Sequence, residues 1–125
     1  MLLIETGNLN KKVSKSPRSR GWFIGRFIKD LSLFKDSDLE VKWANHKKGE
    51  NLNKIRATKK SKTLAILING KIKMSFPDQK KDFILSKQGD FTFWGEKIFH
   101  CTEVLEDSTV LVIRWPSLTN NIIIR

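Results

Sequence analysis

An all-β chain, its strands closed into a sandwich or barrel, is what three features of this sequence predict. Short apolar and aromatic segments follow one another at regular spacing, with almost no helical periodicity between them. The clearest, Leu39-Glu40-Val41-Lys42-Trp43-Ala44, alternates strictly and puts Leu39, Val41 and Trp43 on one face. Turn chemistry punctuates the series at Pro77-Asp78, Gln88-Gly89-Asp90, Gly95-Glu96 and Asp107-Ser108.

Taken in order, residues 1–20 read as a basic N-terminal arm, partly disordered after an initial short strand. From Lys11 to Arg20 it carries no acid, and with Pro17 and three serines it cannot bury enough apolar surface to order itself. A barrel is expected over residues 21–117. Its first strand, 21–28, is apolar and aromatic, with Gly25 marking a bulge or a close backbone approach. After the alternating segment come strands at 63–68 and 71–76, with Asn69-Gly70 read as the two-residue hairpin between them. Further strands are expected at 82–86, 91–94, 98–105 and 109–115. Residues 118–125 form a C-terminal tail or edge strand, since Ile122, Ile123 and Ile124 need a partner edge.

At 125 residues the chain is one domain's worth and can bury a core. With 24 Lys and Arg against 13 Asp and Glu, its formal charge of +11 raises the question of nucleic acid. Residues 42–62 hold eight basic side chains against Glu50 alone. The excess is mostly lysine, accompanied by Asn and Ile, as a gene biased towards A and T codons produces. Apart from Trp43, neither basic stretch interleaves its lysines with exposed aromatics as nucleic-acid readers do. A solvated basic surface therefore ranks above a nucleic-acid site. No apolar run is long enough to span a bilayer, and the start lacks the basic flank and length of a signal peptide, so a cytoplasmic protein without a membrane partner is expected. The lone Cys101 excludes an internal disulfide and fits a reducing compartment. It reads as a small apolar strand residue rather than a thiol nucleophile.

Residues 89–100, Gly-Asp-Phe-Thr-Phe-Trp-Gly-Glu-Lys-Ile-Phe-His, carry a further signal. Their spacing resembles the second sequence motif of the cupin family: Gly89 and His100 match, whereas Gly95 stands at the proline position, Lys97 at the second glycine and Val104 at the asparagine. The family's first motif, where metal sites are built, survives as a skeleton that Gly49 opens and Gly70 closes. Thr63 stands at its glutamate position, and its histidine positions fall among Arg56, Ala57, Thr58 and Lys59. With Gly21-Trp22-Phe23-Ile24-Gly25 and Arg114-Trp115-Pro116 included, the resemblance covers about residues 20–116. It implies a double-stranded β-helix, a jelly-roll barrel. His100 would then point inward with Ile98, Thr102 and Val104, and Phe99 and Cys101 outward. Thr63, Ala65 and Leu67 would likewise face in, leaving Leu64, Ile66 and Ile68 outside in need of a cover, for which a homodimer is the first choice.

A site at the barrel mouth would gather His100, Trp94, Trp43, His46, Thr63, Arg114, Arg56 and Glu103. His100 is either an acid or base near neutral pH in a small-molecule site, or a core histidine kept from a metal-binding ancestor; both readings stay open. His46, in a polar run, reads as an exposed loop residue. Arg114 reads as an anion ligand or, ahead of that, as half of a buried ion pair with Glu40 or Glu103. Guanidinium and ammonium groups repel a divalent ion and His100 alone cannot hold one, so no cofactor and no metal are expected. The ranking that results is a cupin-like binding or sensing domain for an unspecified small molecule first. A metal-independent isomerase or epimerase using His100, and a basic nucleic-acid-associated module, follow.

Overall fold

The computed structural model describes residues 3–125. Eight strands build one curled sheet: β1 (Trp22–Ile24), β2 (Glu40–His46), β3 (Asn51–Thr58), β4 (Lys62–Phe76), β5 (Lys81–Leu85), β6 (Phe91–Trp94), β7 (His100–Trp115) and β8 (Ile122–Ile124). All named pairings are antiparallel. The expected all-β jelly roll is the fold observed. None of its helices is long and apolar enough to cross a membrane, among the described residues.

Two strands run the full height of the barrel, and this departs from the sequence reading. Asn69-Gly70 is not a hairpin, and Asp107-Ser108 is not a turn between two strands. Both lie inside continuous strands of 15 and 16 residues. The β4–β7 ladder runs from Lys62↔Trp115 to Ser75↔Cys101, with register shifts only between Leu67 and Ile72. There the two turn signals face each other as bulges that bend both strands together. Gly70 adopts φ +99°, and a Cβ on it would run into Ser108 Oγ and the Asp107 carbonyl. Ser108 Oγ accepts from the Lys71 amide at 2.9 Å and donates to the Glu106 carbonyl at 2.6 Å, so the groups freed by the bend are satisfied locally.

The bend divides the barrel into two walls. In one, β6, the first half of β4, the second half of β7, β2 and β1 lie side by side; in the other, β5, the second half of β4, the first half of β7, β3 and β8. β3 was not expected, because its sequence, Asn-Leu-Asn-Lys-Ile-Arg-Ala-Thr, is too polar to read as a strand. It forms because β7 and the isoleucines of β8 pair with its two sides. The apolar core, Ala65, Leu67, Ile72, Met74, Phe76, Leu85, Trp94 and Val110, packs between the walls.

The N-terminal arm also differs from expectation. Met1 and Leu2, where a short strand was expected to begin, lie outside the described residues. Beyond them stands a helix, α1 (Leu9–Ser14), capped by the Asn8 side chain on the Lys11 amide. Asn10 Oδ1 accepts from both Trp43 Nε1 at 2.8 Å and Asn45 Nδ2 at 2.9 Å. The arm is thus fastened to β2 by side chains that composition does not reveal.

Candidate functional site

Register decides what faces the interior. Across the first wall, Glu40 stands opposite Arg114, Arg114 opposite Thr63 and Thr63 opposite Trp94; in the next inward row come Lys42, Val112, Ala65 and Thr92. Thr63, Ala65 and Leu67 are buried, as the orientation of His100 implied. The opposite wall contributes Arg56, directly across from His100. Together these residues surround a cavity of about 940 Å³, whose lining includes Trp22, Lys42, His46, Arg56, Met74, Trp94 and His100.

The alternation on β2 was real but pointed the other way. Val41 and Trp43 project from the outer surface, with Trp43 opposite Leu111 and hydrogen-bonded to Asn10 of α1. Trp43 thus borders the cavity from the α1 side, while its even-numbered neighbours Glu40, Lys42 and Ala44 face in. Glu103 is also outside, 3.6 Å from Lys73 Nζ. His46 is not in a loop but ends β2, its ring mostly shielded and its Nδ1 2.8 Å from Glu50 Oε2. Burial pushes the Glu50 carboxyl up, but the His46 contact, the Lys47 amide and nearby positive charge outweigh it and hold it below the usual carboxylate range.

Three predicted site residues do meet. The Trp94 ring lies 4.5 Å from that of His100 and 5.4 Å from Phe76, which gathers aromatic surface there. Thr63 Oγ1, Trp94 Nε1 and His100 Nδ1 are buried without hydrogen-bond partners. Arg114 is the fourth, and it pairs with Glu40, Nη1 to Oε1 at 3.0 Å, with Ser117 Oγ donating to Glu40 Oε2 at 2.9 Å. Its guanidinium lies 4.7 Å over the Trp22 ring, which also takes the Lys42 ammonium at 5.3 Å.

Electrostatically the cavity is positive. Burial, aided by the charges of Arg114, Arg20 and Arg56, lowers the Lys42 ammonium to about 8. His100 is pushed down to about 4, first by burial and then by Arg114, Lys42 and Arg56, against a backbone hydrogen bond to Ile98 that raises it. At neutral pH it is an uncharged imidazole. It has cations around it and no acidic partner. A divalent ion needs several converging anionic or neutral donors, yet no three His, Cys, Asp or Glu side chains cluster among the described residues. The donor set does not fit the metal that the family's first motif would hold.

Sequence reasoning missed Lys42 and Trp22. Lys42 was legible in the alternation, for whichever face holds Trp43 cannot hold Lys42. What hid it was the rule that the apolar face goes inside, which fails where the inside is a polar cavity. Trp22 sits on a three-residue edge strand whose register carries a shift, so no periodicity signals its direction.

No family model matches the sequence, and no curated protein sequence matches it. Solved structures do resemble the fold. KdgF from Halomonas sp. has a TM-score of 0.59 at 18% identity over 67% of this chain and 74% of its own. An RmlC-like cupin protein from Desulfovibrio desulfuricans gives 0.58 at 13% identity over 94% and 96%. A variant of Streptomyces PAC13 with uridine gives 0.61 at 8% identity over 72% and 70%.

Proposed function

Taking the cupin fold shared with these structures as the frame, we propose that this chain is a small-molecule binding or sensing module that works without a bound metal. The observation that carries this is the interior cavity, beside which Thr63, Trp94 and His100 have buried polar atoms without a partner among the described residues. Leaving such a group unpaired costs about 1–3 kcal/mol, so a polar guest that reached it would be favoured. PAC13 was solved with uridine, a small polar molecule, which accords with the reading.

Two features set it above base catalysis by His100. The ring is a weak base, lowered to about 4, and no carboxylate orients it. Nucleic-acid binding ranks lower because Lys42 and Arg56, among the basic residues in 42–62, are partly buried and line the cavity. The lone thiol, Cys101, half-buried and unpaired, supports a reducing compartment such as the cytoplasm. For assembly, the occupant proposed for the outer face of the first wall is a second copy of the chain. Leu64, Ile66, Leu111 and Ile113 form uncharged rows there that end in Phe91 and Phe93, 61% and 52% exposed.

A fragment screen by protein-observed NMR tests the binding reading. Hits that move the Trp94 indole resonance, and lose affinity in Thr63→Val, are the expected result. Hits confined to the outer surface, with Trp94 silent throughout, would overturn it.

A further inference from the structure

The interior holds more positive charge than its own acids can balance. Lys42, Arg56 and Arg114 all line the cavity, and Glu40, which pairs with Arg114 from beside it, is the one carboxylate bound to any of them. That pairing leaves Arg114 Nε without an acceptor, and Arg56 Nε is equally buried and unpartnered. Trp94 Nε1 is a third N–H without an acceptor, and Thr63 Oγ1 adds a hydroxyl. Every nitrogen among these unpartnered groups except His100 Nδ1 can only donate. The unpartnered nitrogens other than His100 Nδ1 are thus donors, and against Lys42, Arg56 and Arg114 the lining sets one carboxylate, Glu50.

We propose that the ligand is an anion, a small molecule carrying a carboxylate or phosphate that seats between Lys42, Arg56 and Arg114, with its uncharged part against Trp94 and His100. The proposal rests on the small-molecule reading above and narrows it to a charge class. Planar guanidinium groups suit oxyanions because their N–H forks match two oxygens at once. Two such groups and an ammonium, drawn from β2, β3 and β7, approach from different walls of the barrel, so they surround a guest rather than flank it. The aromatic floor fits an apolar or ring-shaped remainder. Burial first, and then the like charges of Arg114, Arg20 and Arg56, lower the Lys42 ammonium, and an anion beside it offsets the like-charge part. The cations thus occupy the region where the family's first motif would place metal ligands, and they invert its preference from cation to anion.

Matched pairs differing in charge supply the test: uridine monophosphate against uridine, and gluconate against glucose, each titrated while the Trp94 indole resonance and the melting temperature are followed. The anions are expected to shift the indole and raise the melting temperature, and their neutral partners to do neither at the same concentration. Lys42→Met and Arg56→Gln should each weaken anion binding at least tenfold, while melting without ligand at or above the parent, since each removes a repulsion. Glu40→Gln should tighten binding, because it removes the only internal competitor for Arg114. If neutral members move Trp94 as strongly as the anions, the charge class is wrong while the binding reading stands. If anions shift only exposed lysine amides, or raise the melting temperature equally in both cation variants, binding is to the surface and the proposal falls.

Discussion

His100 stands in the barrel beside Trp94, and its surroundings make it an uncharged aromatic wall. The consequence is a pH signature. The folded value of about 4 lies below the ordinary 6.5, so between these limits the unfolded chain binds the extra proton. Stability is therefore full above about pH 6.5 and falls as pH drops from there towards 4, by at most about 3 kcal/mol from this residue. His100→Phe keeps the stacking on Trp94 and removes the titration. Thermal melts between pH 4 and 7 should show a shallower acid decline in the variant than in the parent; parallel declines would mean that carboxylates elsewhere carry the effect. The position of His100 was legible in the sequence because a glycine turn and a short strand fix its distance from Gly89. Its protonation was not, because that depends on Lys42 and Arg56 arriving from two other strands and on Arg114 from the far end of its own.

At the scale of elements, the turn signals at Pro77-Asp78, Gln88-Gly89-Asp90 and Gly95-Glu96 do separate strands, and two others were correct in location and wrong in kind. Asn69-Gly70 and Asp107-Ser108 do mark abrupt changes of direction, but a tight turn and a bulge draw on the same residue types. What separates them is whether the flanking segments pair with each other or with a third strand, and that is information about the whole sheet. The distinction can be measured. Gly70→Ala forces a side chain into Ser108 at a positive φ and should cost about 2–4 kcal/mol in urea unfolding with an unchanged m value. Gly49→Ala is the control, since Gly49 also has positive φ but open space around it, and its cost should be about 1 kcal/mol. Equal costs at the two positions would show that the bulge is not tightly packed. β3 shows the opposite limit: with Asn51, Asn53 and Lys54 in it, nothing local announces a strand, and partners on either side impose one.

For the whole molecule, the inversion of the usual rule links the cavity to assembly. Lys42, Thr63 and Arg114 share the inner face of the first wall with Ala65, Leu67, Trp94 and Val110, while Leu64, Ile66, Leu111 and Ile113 lie on its outside. Exposed apolar surface costs roughly 25 cal/mol for each Å² left in water. α1 covers part of this face at Trp43, and a second copy is the proposed cover for the remainder. Light scattering should then give about twice the mass of a single chain. Ile66→Lys, in the middle of the strip, should shift the protein to monomer or reduce its solubility, with the Trp94 resonance unchanged in whatever remains soluble. A monomeric parent at millimolar concentration would leave the strip without its proposed partner. The need for a cover could be read from Leu64, Ile66 and Ile68 in the sequence; the aromatic end of the strip could not, since Phe91 and Phe93 join it only through pairing with β4.

The bend in β4 and β7 also governs how the chain comes together. Because each wall contains half of both long strands, neither wall can be completed from one continuous stretch of sequence: Thr63 must find Arg114, and Ser75 must find Cys101. Such distant pairings incur their loop-closure entropy before any contact repays it, which places this topology among the slower folders. The same sharing removes a natural line of fracture between the cavity and the apolar end. Deep amides of both walls should exchange with deuterium through one common opening event, so an anion seated at one end would slow exchange at the other.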